Sequence, residues 1–152
     1  MNKKTNRKKC QNLFAVSPLI ILLFLSGCTL EKTLQGEERQ QWIDTATPIA
    51  HRMLESLDNN TYDEFISHAS DEMKERISYQ DFGRLKVKME SYLGSCIKIT
   101  PTDVRSRETY VTVFFAVKCE KSENVRLKIV FKAGDETHKV HDFLLVFIDE
   151  IL

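Results

Sequence analysis

The sequence predicts an α+β domain in which N-terminal helices pack on one face of a four-stranded antiparallel sheet. In the first half of the chain, apolar residues recur every three or four positions, which is the spacing of an amphipathic helix. In the second half they alternate with polar residues, as in a half-buried strand. Helices followed by a run of strands are typical of α+β domains, and the stretch from Glu37 to Leu152 has the usual length of one domain.

A long helix is predicted from about Glu37 to Leu57. Its apolar face is formed by Trp42, Ala46, Ile49, Met53 and Leu57. Pro48 lies inside this pattern and has no amide hydrogen to donate to the preceding turn. We therefore expect the helix to kink or break near Thr47.

Shorter helices are predicted between this helix and the sheet. Thr61 and Glu64 have the spacing of a capping box, in which a hydroxyl and a carboxylate accept hydrogen bonds from free amides of the first turn. Ser78 and Asp81 are spaced in the same way at the start of a longer helix. Gly94 follows that helix and suits the left-handed conformation that often closes one.

The sheet is predicted to be a meander of strands joined by polar turns. Its four strands are Ser95–Ile99, Tyr110–Cys119, Val125–Phe131 and Val140–Ile148. In the two central strands the odd-numbered positions are mostly apolar. These strands should therefore bury one face and expose the other.

The first 27 residues have the parts of a secretory signal. Met1–Asn12 contains five basic residues and no acidic residue, and Leu13–Leu25 is an apolar stretch of 13 residues. A signal core has roughly 7–15 residues, whereas a helix that spans a membrane needs about 20. The segment is therefore predicted to be a signal peptide and not a transmembrane anchor.

The sequence Leu25-Ser26-Gly27-Cys28 follows the apolar stretch directly and resembles the lipobox of bacterial lipoproteins. The resemblance implies cleavage between Gly27 and Cys28. It also implies a diacylglyceryl group and an N-acyl chain, such as palmitate, on Cys28, which becomes the first residue of the mature protein. Two or three acyl chains hold a protein stably on a membrane. An ordinary signal peptide is the alternative.

The expected organisation is a signal peptide (1–27), a lipidated cysteine with a mobile tether (28–36) and one folded domain (37–152). Thr29 follows the cysteine, at a position where Asp is the usual signal for retention in the inner membrane of Gram-negative cells. Thr29 therefore resembles a signal for the periplasmic face of the outer membrane. In a Gram-positive cell the same anchor would lie in the cell membrane.

The net charge of the predicted mature protein limits the classes of partner that it can bind. The chain has 22 basic and 22 acidic residues, and the first 28 residues hold five of the basic ones, which leaves 17 against 22 in the mature protein. An acidic protein is a poor partner for nucleic acid, whose phosphates attract basic surfaces. The balance also predicts no basic patch for anionic lipids, so attachment is expected through the acyl chains alone.

Cys96 and Cys119 are the two cysteines left for pairing after cleavage and lipidation, and an exported protein can keep a disulfide. The polar stretch Arg105–Glu108 lies midway between them, so a hairpin folded there would bring them together. Strict strand alternation argues against a bond, because only a bulge, for example at Pro101, would put both cysteines on one face. A disulfide and two buried free thiols remain alternatives.

Candidate catalytic and metal-binding residues are few. His138 and His141 are three positions apart in a region that is predicted to form strands. Their rings should therefore lie on opposite faces and cannot form a simple two-histidine metal pair. The first pair to inspect for catalysis is His141 and Asp142, beside Phe143, although salt-linked strand ends explain these residues more simply. We predict no catalytic residue, no metal site and no cofactor.

Four features occur in order before the meander: a long helix, the segment Leu57–Phe65, a short helix around Met73 and a helix that ends at Leu93-Gly94. Over residues 40–148, this order resembles the nuclear-transport-factor-two-like, or cystatin-like, superfamily, and within it small bacterial lipoproteins. The resemblance implies a curved sheet and a helix-lined cone that holds a small ligand, dimerises through its sheet or binds a partner. It does not imply catalysis.

Two classes of function follow. The favoured one is a non-catalytic lipoprotein that binds a small molecule or another envelope protein, or forms a homodimer, through its sheet. The alternative is a small pocket enzyme of the isomerase or hydrolase type. Polar groups inside the cone would favour the enzyme, whereas a closed interior lined by phenylalanine would favour binding.

Overall fold

The computed structural model describes residues 31–147. Gly27, Cys28 and the whole predicted signal peptide lie outside the described residues, as does Ile148 at the predicted end of the last strand. Within the described part, a short strand and four helices precede four long antiparallel strands. The architecture is α+β, and the sheet is open.

The helices are α1 (Gly36–Asp58), α2 (Tyr62–Ser67), α3 (Asp71–Arg76) and α4 (Tyr79–Tyr92). α1 continues through Pro48, so the helix is not broken where the sequence placed a kink or a break. In the same turn, the Thr47 hydroxyl donates a hydrogen bond of 2.6 Å to the carbonyl of Ile43.

Capping explains where α4 begins and ends. Ser78 Oγ accepts from the amide of Asp81 at 3.2 Å, and the Asp81 carboxylate accepts from the Ser78 amide at 3.0 Å, which confirms the capping box. Gly94, with φ of 66°, follows α4 in the left-handed conformation that was predicted. The capping box at Thr61 was wrong. Its ψ of 86° departs from the extended value of a cap, and its hydroxyl instead donates to the Glu64 carboxylate at 3.0 Å.

Between residues 31 and 147 the sheet has five strands and not the four that were predicted. They are β1 (Lys32–Thr33), β2 (Cys96–Arg107), β3 (Tyr110–Cys119), β4 (Val125–Lys132) and β5 (Val140–Phe147), and each pairs antiparallel with the next. β2 continues beyond its predicted end at Ile99. The meander order is the predicted one.

β1 lies in the segment that was expected to be a mobile tether. Lys32 and Thr33 pair with the edge of β2, and the next residue, Leu34, is 1% exposed. The Leu34 amide donates to the carbonyl of Val104 at 2.8 Å. A strand of two residues has no periodicity to read, so the sequence did not show that the fold begins before Glu37.

The core lies between the helices and the inner face of the sheet, which is the face directed at them. Its largest fully buried side chains include Phe65, Phe82, Phe115, Phe131, Met53, Met73 and Met89. The ring of Phe65 lies 5.3 Å, between centroids, from the rings of Phe82 and Phe143. The space where a cone would hold a ligand is therefore occupied by apolar side chains.

Candidate binding surface

The sheet also has an outer face, which points away from the four described helices. Because side chains alternate along a strand, the residues between the core positions point outward. Three rows of cross-strand neighbours form its centre: Arg105, Thr112, Val130 and Asp142; Asp103, Phe114, Lys128 and Leu144; Thr100, Ala116, Arg126 and Val146. Leu144 and Val146 are 46% and 41% exposed, so this face presents apolar groups to solvent.

The strands that form the outer face carry more basic than acidic side chains, although the groove along this face is also lined by Glu31, Glu72, Glu108 and Asp142. The charged residues of strands β2–β5 comprise seven basic side chains, Lys98, Arg105, Arg107, Lys118, Arg126, Lys128 and Lys132, and two acidic ones, Asp103 and Asp142. Helices α1–α4 carry twelve acidic residues against seven basic ones. Basic side chains are therefore concentrated in the strands and acidic ones in the helices, a distribution that the net charge of the chain does not report. Basic residues at alternating strand positions were the signal that could have shown it.

Arg105 is held over an aromatic ring at the centre of the outer face. Its guanidinium carbon lies 5.1 Å from the ring centroid of Phe114, within the range of a cation–π contact. Its Nε donates to Asp103 Oδ2 at 2.6 Å, and its Nη1 donates to Glu31 Oε2 at 3.2 Å. These hydrogen bonds, the one with Asp103 first, raise the pKa of Arg105. The side chain is therefore fixed in place and always charged.

Three other basic residues of the outer face, Lys128, Arg107 and Arg126, differ in whether they form an ion pair. Lys128 Nζ lies 3.6 Å from Asp142 Oδ2, a distance typical of a weak surface ion pair. Arg107 and Arg126 form no ion pair with any residue between 31 and 147. Two guanidinium groups therefore remain available to an anion. Arginine binds phosphate and carboxylate well because its planar donors match two oxygens at once.

His141 and Asp142, the first candidates for catalysis, have separate partners at the end of β5. The His141 ring lies 5.7 Å from that of Tyr110, and its Nδ1 lies 3.8 Å from Glu72 Oε2. Hydrogen bonds from its own backbone amide and from Ser70 lower the pKa of Glu72, and His141 contributes to this shift. Asp142 pairs with Lys128. These contacts are the salt-linked strand ends that the sequence offered as the simpler explanation.

The rings of His138 and His141 lie on opposite sides of the sheet, but strand alternation is not the reason, because His138 lies before β5 in a turn, with φ of 48°. The ring of His138 contacts Trp42 of α1 at 5.9 Å between centroids, whereas His141 contacts Tyr110 on the outer side. In the described residues, no group of three His, Cys, Asp or Glu side chains is close enough to hold a metal ion.

His51 and His68 lie off the apolar stripes of the predicted helices, a position that predicts exposure to solvent. His51 is exposed on α1, but His68 is only partly exposed. Burial, with the nearby charges of Arg52 and Lys139, lowers the pKa of His68.

Cys96 and Cys119 are directly paired across β2 and β3, and their sulfur atoms are bonded at 2.08 Å. β2 contains two bulges, one at Ile97 and one at Thr102, next to the position proposed from the sequence. The bulge at Ile97 turns Cys96 to the face of Cys119 and leaves Ile97 65% exposed. A bulge therefore puts both cysteines on one face, as the sequence required for a bond, but the bulge that does so is at Ile97 and not at Pro101.

No protein-family model matches the chain, and no curated protein or solved structure matches it. The resemblance to the nuclear-transport-factor-two-like superfamily therefore depends on the order of elements alone. The fold that is shown is coarser: helices packed on one face of an open, five-stranded antiparallel sheet.

Proposed function

We propose that this protein is an exported lipoprotein, held on a membrane by acyl chains on Cys28, whose domain is a non-catalytic binding module of the cell envelope. The anchor is supported by the sequence Leu25-Ser26-Gly27-Cys28 directly behind an apolar stretch of signal length. Thr29 supports the outer membrane in a Gram-negative cell and the cell membrane otherwise. In the described residues, no helix is long and apolar enough to cross a membrane.

The contrast between the two faces of the sheet carries the binding part of the proposal. On the inner face, Phe115 and Phe131 are fully buried against the helices, so apolar side chains take the place of a ligand. On the outer face, Phe114, Leu144 and charged groups remain accessible. A closed interior lined by phenylalanine is the feature that favours a binding module. The arrangement therefore supports a module that binds through the outer face, in preference to a pocket enzyme.

The order of elements supports a relation to the cystatin-like superfamily in which the cone is filled. In such a protein, a small ligand would have to displace core side chains such as Phe65. The exposed outer face of the sheet would then be the surface available for binding.

The anchor is tested by replacing Cys28 with serine and labelling cells with a clickable fatty acid. Cys28→Ser should abolish the label and leave uncleaved precursor, because the thiol is the acceptor and the modification precedes cleavage. Cys10→Ser is the matched control, since Cys10 lies in the segment that is removed. Label that survives in Cys28→Ser would refute the anchor.

The binding surface is tested with a photo-crosslinking side chain placed in the cell-borne protein. At Leu144, on the outer face, it should crosslink a component of the envelope. At Val87, which is 61% exposed on α4, it should not. Crosslinks at Val87 and none at Leu144 would assign binding to the helical side and contradict the proposal.

A further inference from the structure

The chain enters the fold at the rim of the outer face. Glu31, the first described residue, contacts Arg105 at 3.2 Å and lines a shallow groove. The charged side chains of this groove are of both signs: the basic Arg76, Arg107 and Lys128, and the acidic Glu31, Glu72, Glu108 and Asp142. Cys28 precedes Glu31 by three residues, and three residues of extended chain span at most about 11 Å. Acyl chains on Cys28 would therefore hold this rim, and not the helical side, next to the membrane.

We propose that the outer face of the sheet lies against the membrane that holds the acyl chains and binds the headgroup phosphates of its anionic phospholipids. This inference rests on the proposed lipid anchor at Cys28. It adds an orientation and a ligand, so that the sheet is the membrane-facing side of the domain and the helices face away.

The distribution of charge supports this orientation. The long strands carry seven basic side chains against two acidic ones, while the helices carry twelve acidic against seven basic. A negative membrane surface attracts the first side and repels the second. Such attraction decays over about 8 Å at physiological salt, a range comparable to the reach of the short tether. A weak site is then sufficient, because the anchor makes its effective concentration high.

The chemistry of the outer face fits a phospholipid surface. Arg107 and Arg126 have no ion pair among the described residues, and a guanidinium binds a phosphate through two hydrogen bonds. Between these arginines lie Phe114, Val130 and Leu144. An apolar centre flanked by two guanidinium groups suits the boundary between headgroups and acyl chains, where aromatic and aliphatic groups leave water while cations stay at the phosphates.

A second copy of the chain is a poorer occupant. In a two-fold dimer through this face, two surfaces with the same excess of basic strand residues would meet, and like charges across an interface are unfavourable. An acidic envelope protein would have the required charge. However, the short distance from Glu31 to Cys28 favours the membrane, because the membrane is the anionic surface that the anchor brings into reach.

The test uses the lipidated mature protein, purified in detergent and reconstituted into vesicles whose acyl chains are brominated, since bromine quenches tryptophan emission on contact. Leu144→Trp places a reporter on the outer face, and Val87→Trp is the matched control on α4; both side chains are exposed, so folding should be unaffected. Wild-type protein gives the baseline from Trp42, which is packed against Phe131 on the inner side.

The added emission of Leu144→Trp should be quenched in vesicles that contain phosphatidylglycerol and not in purely zwitterionic vesicles. That of Val87→Trp should be quenched in neither. With the Leu144→Trp reporter, Arg107→Gln with Arg126→Gln should lower the ratio of docked to undocked protein by roughly 25-fold, at about fivefold for each basic residue. Arg84→Gln with Lys88→Gln on α4 should leave the ratio unchanged.

Three outcomes would overturn docking: no quenching of Leu144→Trp, equal quenching in both kinds of vesicle, or quenching of Val87→Trp instead. A crosslink from Leu144 in cells to an acidic protein, with no crosslink to lipid, would assign the face to that partner. The lipid anchor is checked separately by the mass of the N-terminal peptide. A protein that carries the acyl mass and fails to dock therefore refutes the inference and leaves the proposed function intact.

Discussion

Cys96 and Cys119 face each other directly across β2 and β3, and a bond joins their sulfur atoms at the end of the hairpin opposite its turn at Glu108 and Thr109. The pair is separated by 23 residues in the sequence. It closes the hairpin from which Arg105 and Phe114 project onto the outer face. The bond therefore holds the two strands that form the centre of the candidate surface.

Reduction of this disulfide should destabilise the domain. Closing a loop of this length stabilises a protein by roughly 3 kcal/mol through loss of freedom in the unfolded chain. The melting temperature should fall on the order of 10 °C in dithiothreitol. The double variant Cys96→Ala with Cys119→Ala should melt low with or without the reductant. Two alkylatable thiols in the non-reduced protein would refute the bond.

Gly94 and Gly83 should respond in opposite ways to alanine. Gly94 has φ of 66°, and a Cβ there would lie 2.6 Å from Glu120 Oε2, so Gly94→Ala should cost about 1–2 kcal/mol in the free energy of unfolding. Gly83 lies inside α4 with open space around it, so Gly83→Ala should gain about 0.5–1 kcal/mol. Urea unfolding measures both. A loss at Gly83 equal to that at Gly94 would contradict the conformation assigned here.

Asp81 should make stability depend on acid pH. A hydrogen bond from Ser78, together with one from Arg84, lowers the pKa of Asp81 from 3.8 to about 2. The folded state therefore gains from the ionised carboxylate above about pH 4 and loses that gain as the pH falls through about 2. The difference in melting temperature between the wild type and Asp81→Asn should be larger at about pH 6 than at about pH 2.

Ser78→Ala is the companion variant, because it removes the first of those hydrogen bonds. The stability of this variant should fall less steeply than that of the wild type as the pH is lowered. The lost cap should itself cost about 1 kcal/mol in the free energy of unfolding. A melting difference between wild type and Asp81→Asn that is constant across this pH range would show that Asp81 contributes no such dependence.

Phe65 should be among the costliest side chains to truncate. It is fully buried, and its ring packs on those of Phe82 and Phe143, which joins α2 to α4 and to β5. Phe65→Ala should lower the free energy of unfolding by about 3–5 kcal/mol. Val87→Ala, at an exposed apolar position, should change it by less than about 0.5 kcal/mol. Similar values for the two variants would contradict a core centred on Phe65.

The elements with strong periodicity were predictable from the sequence. The stripe through Trp42 and Met53 predicted α1 to within one residue at each end, and the alternation in Tyr110–Cys119 predicted β3 with the same bounds as the structure. Local rules were less reliable where tertiary contacts decide. Thr61 has the right spacing for a cap, but its backbone lacks the extended conformation that a cap requires.

The features that the sequence missed depend on pairing between distant segments. β1 exists because Lys32 and Thr33 find the free edge of β2, which no local pattern reports. The bulge at Ile97 decides the face of Cys96, and its position depends on the register with β3. The excess of basic residues on the strands of the outer face arises in the same way, since the alternation that buries Val113 and Ile129 places their charged neighbours together on the other side.

The lipoprotein assignment is tested most directly by the intact mass of the protein extracted from membranes without reductant. We expect the mass of residues 28–152 with a diacylglyceryl group and an N-acyl chain on Cys28, and with Cys96 and Cys119 oxidised. The mass of the whole chain from Met1, or of a cleaved chain without acyl groups, would contradict the lipoprotein assignment on which the proposed function depends.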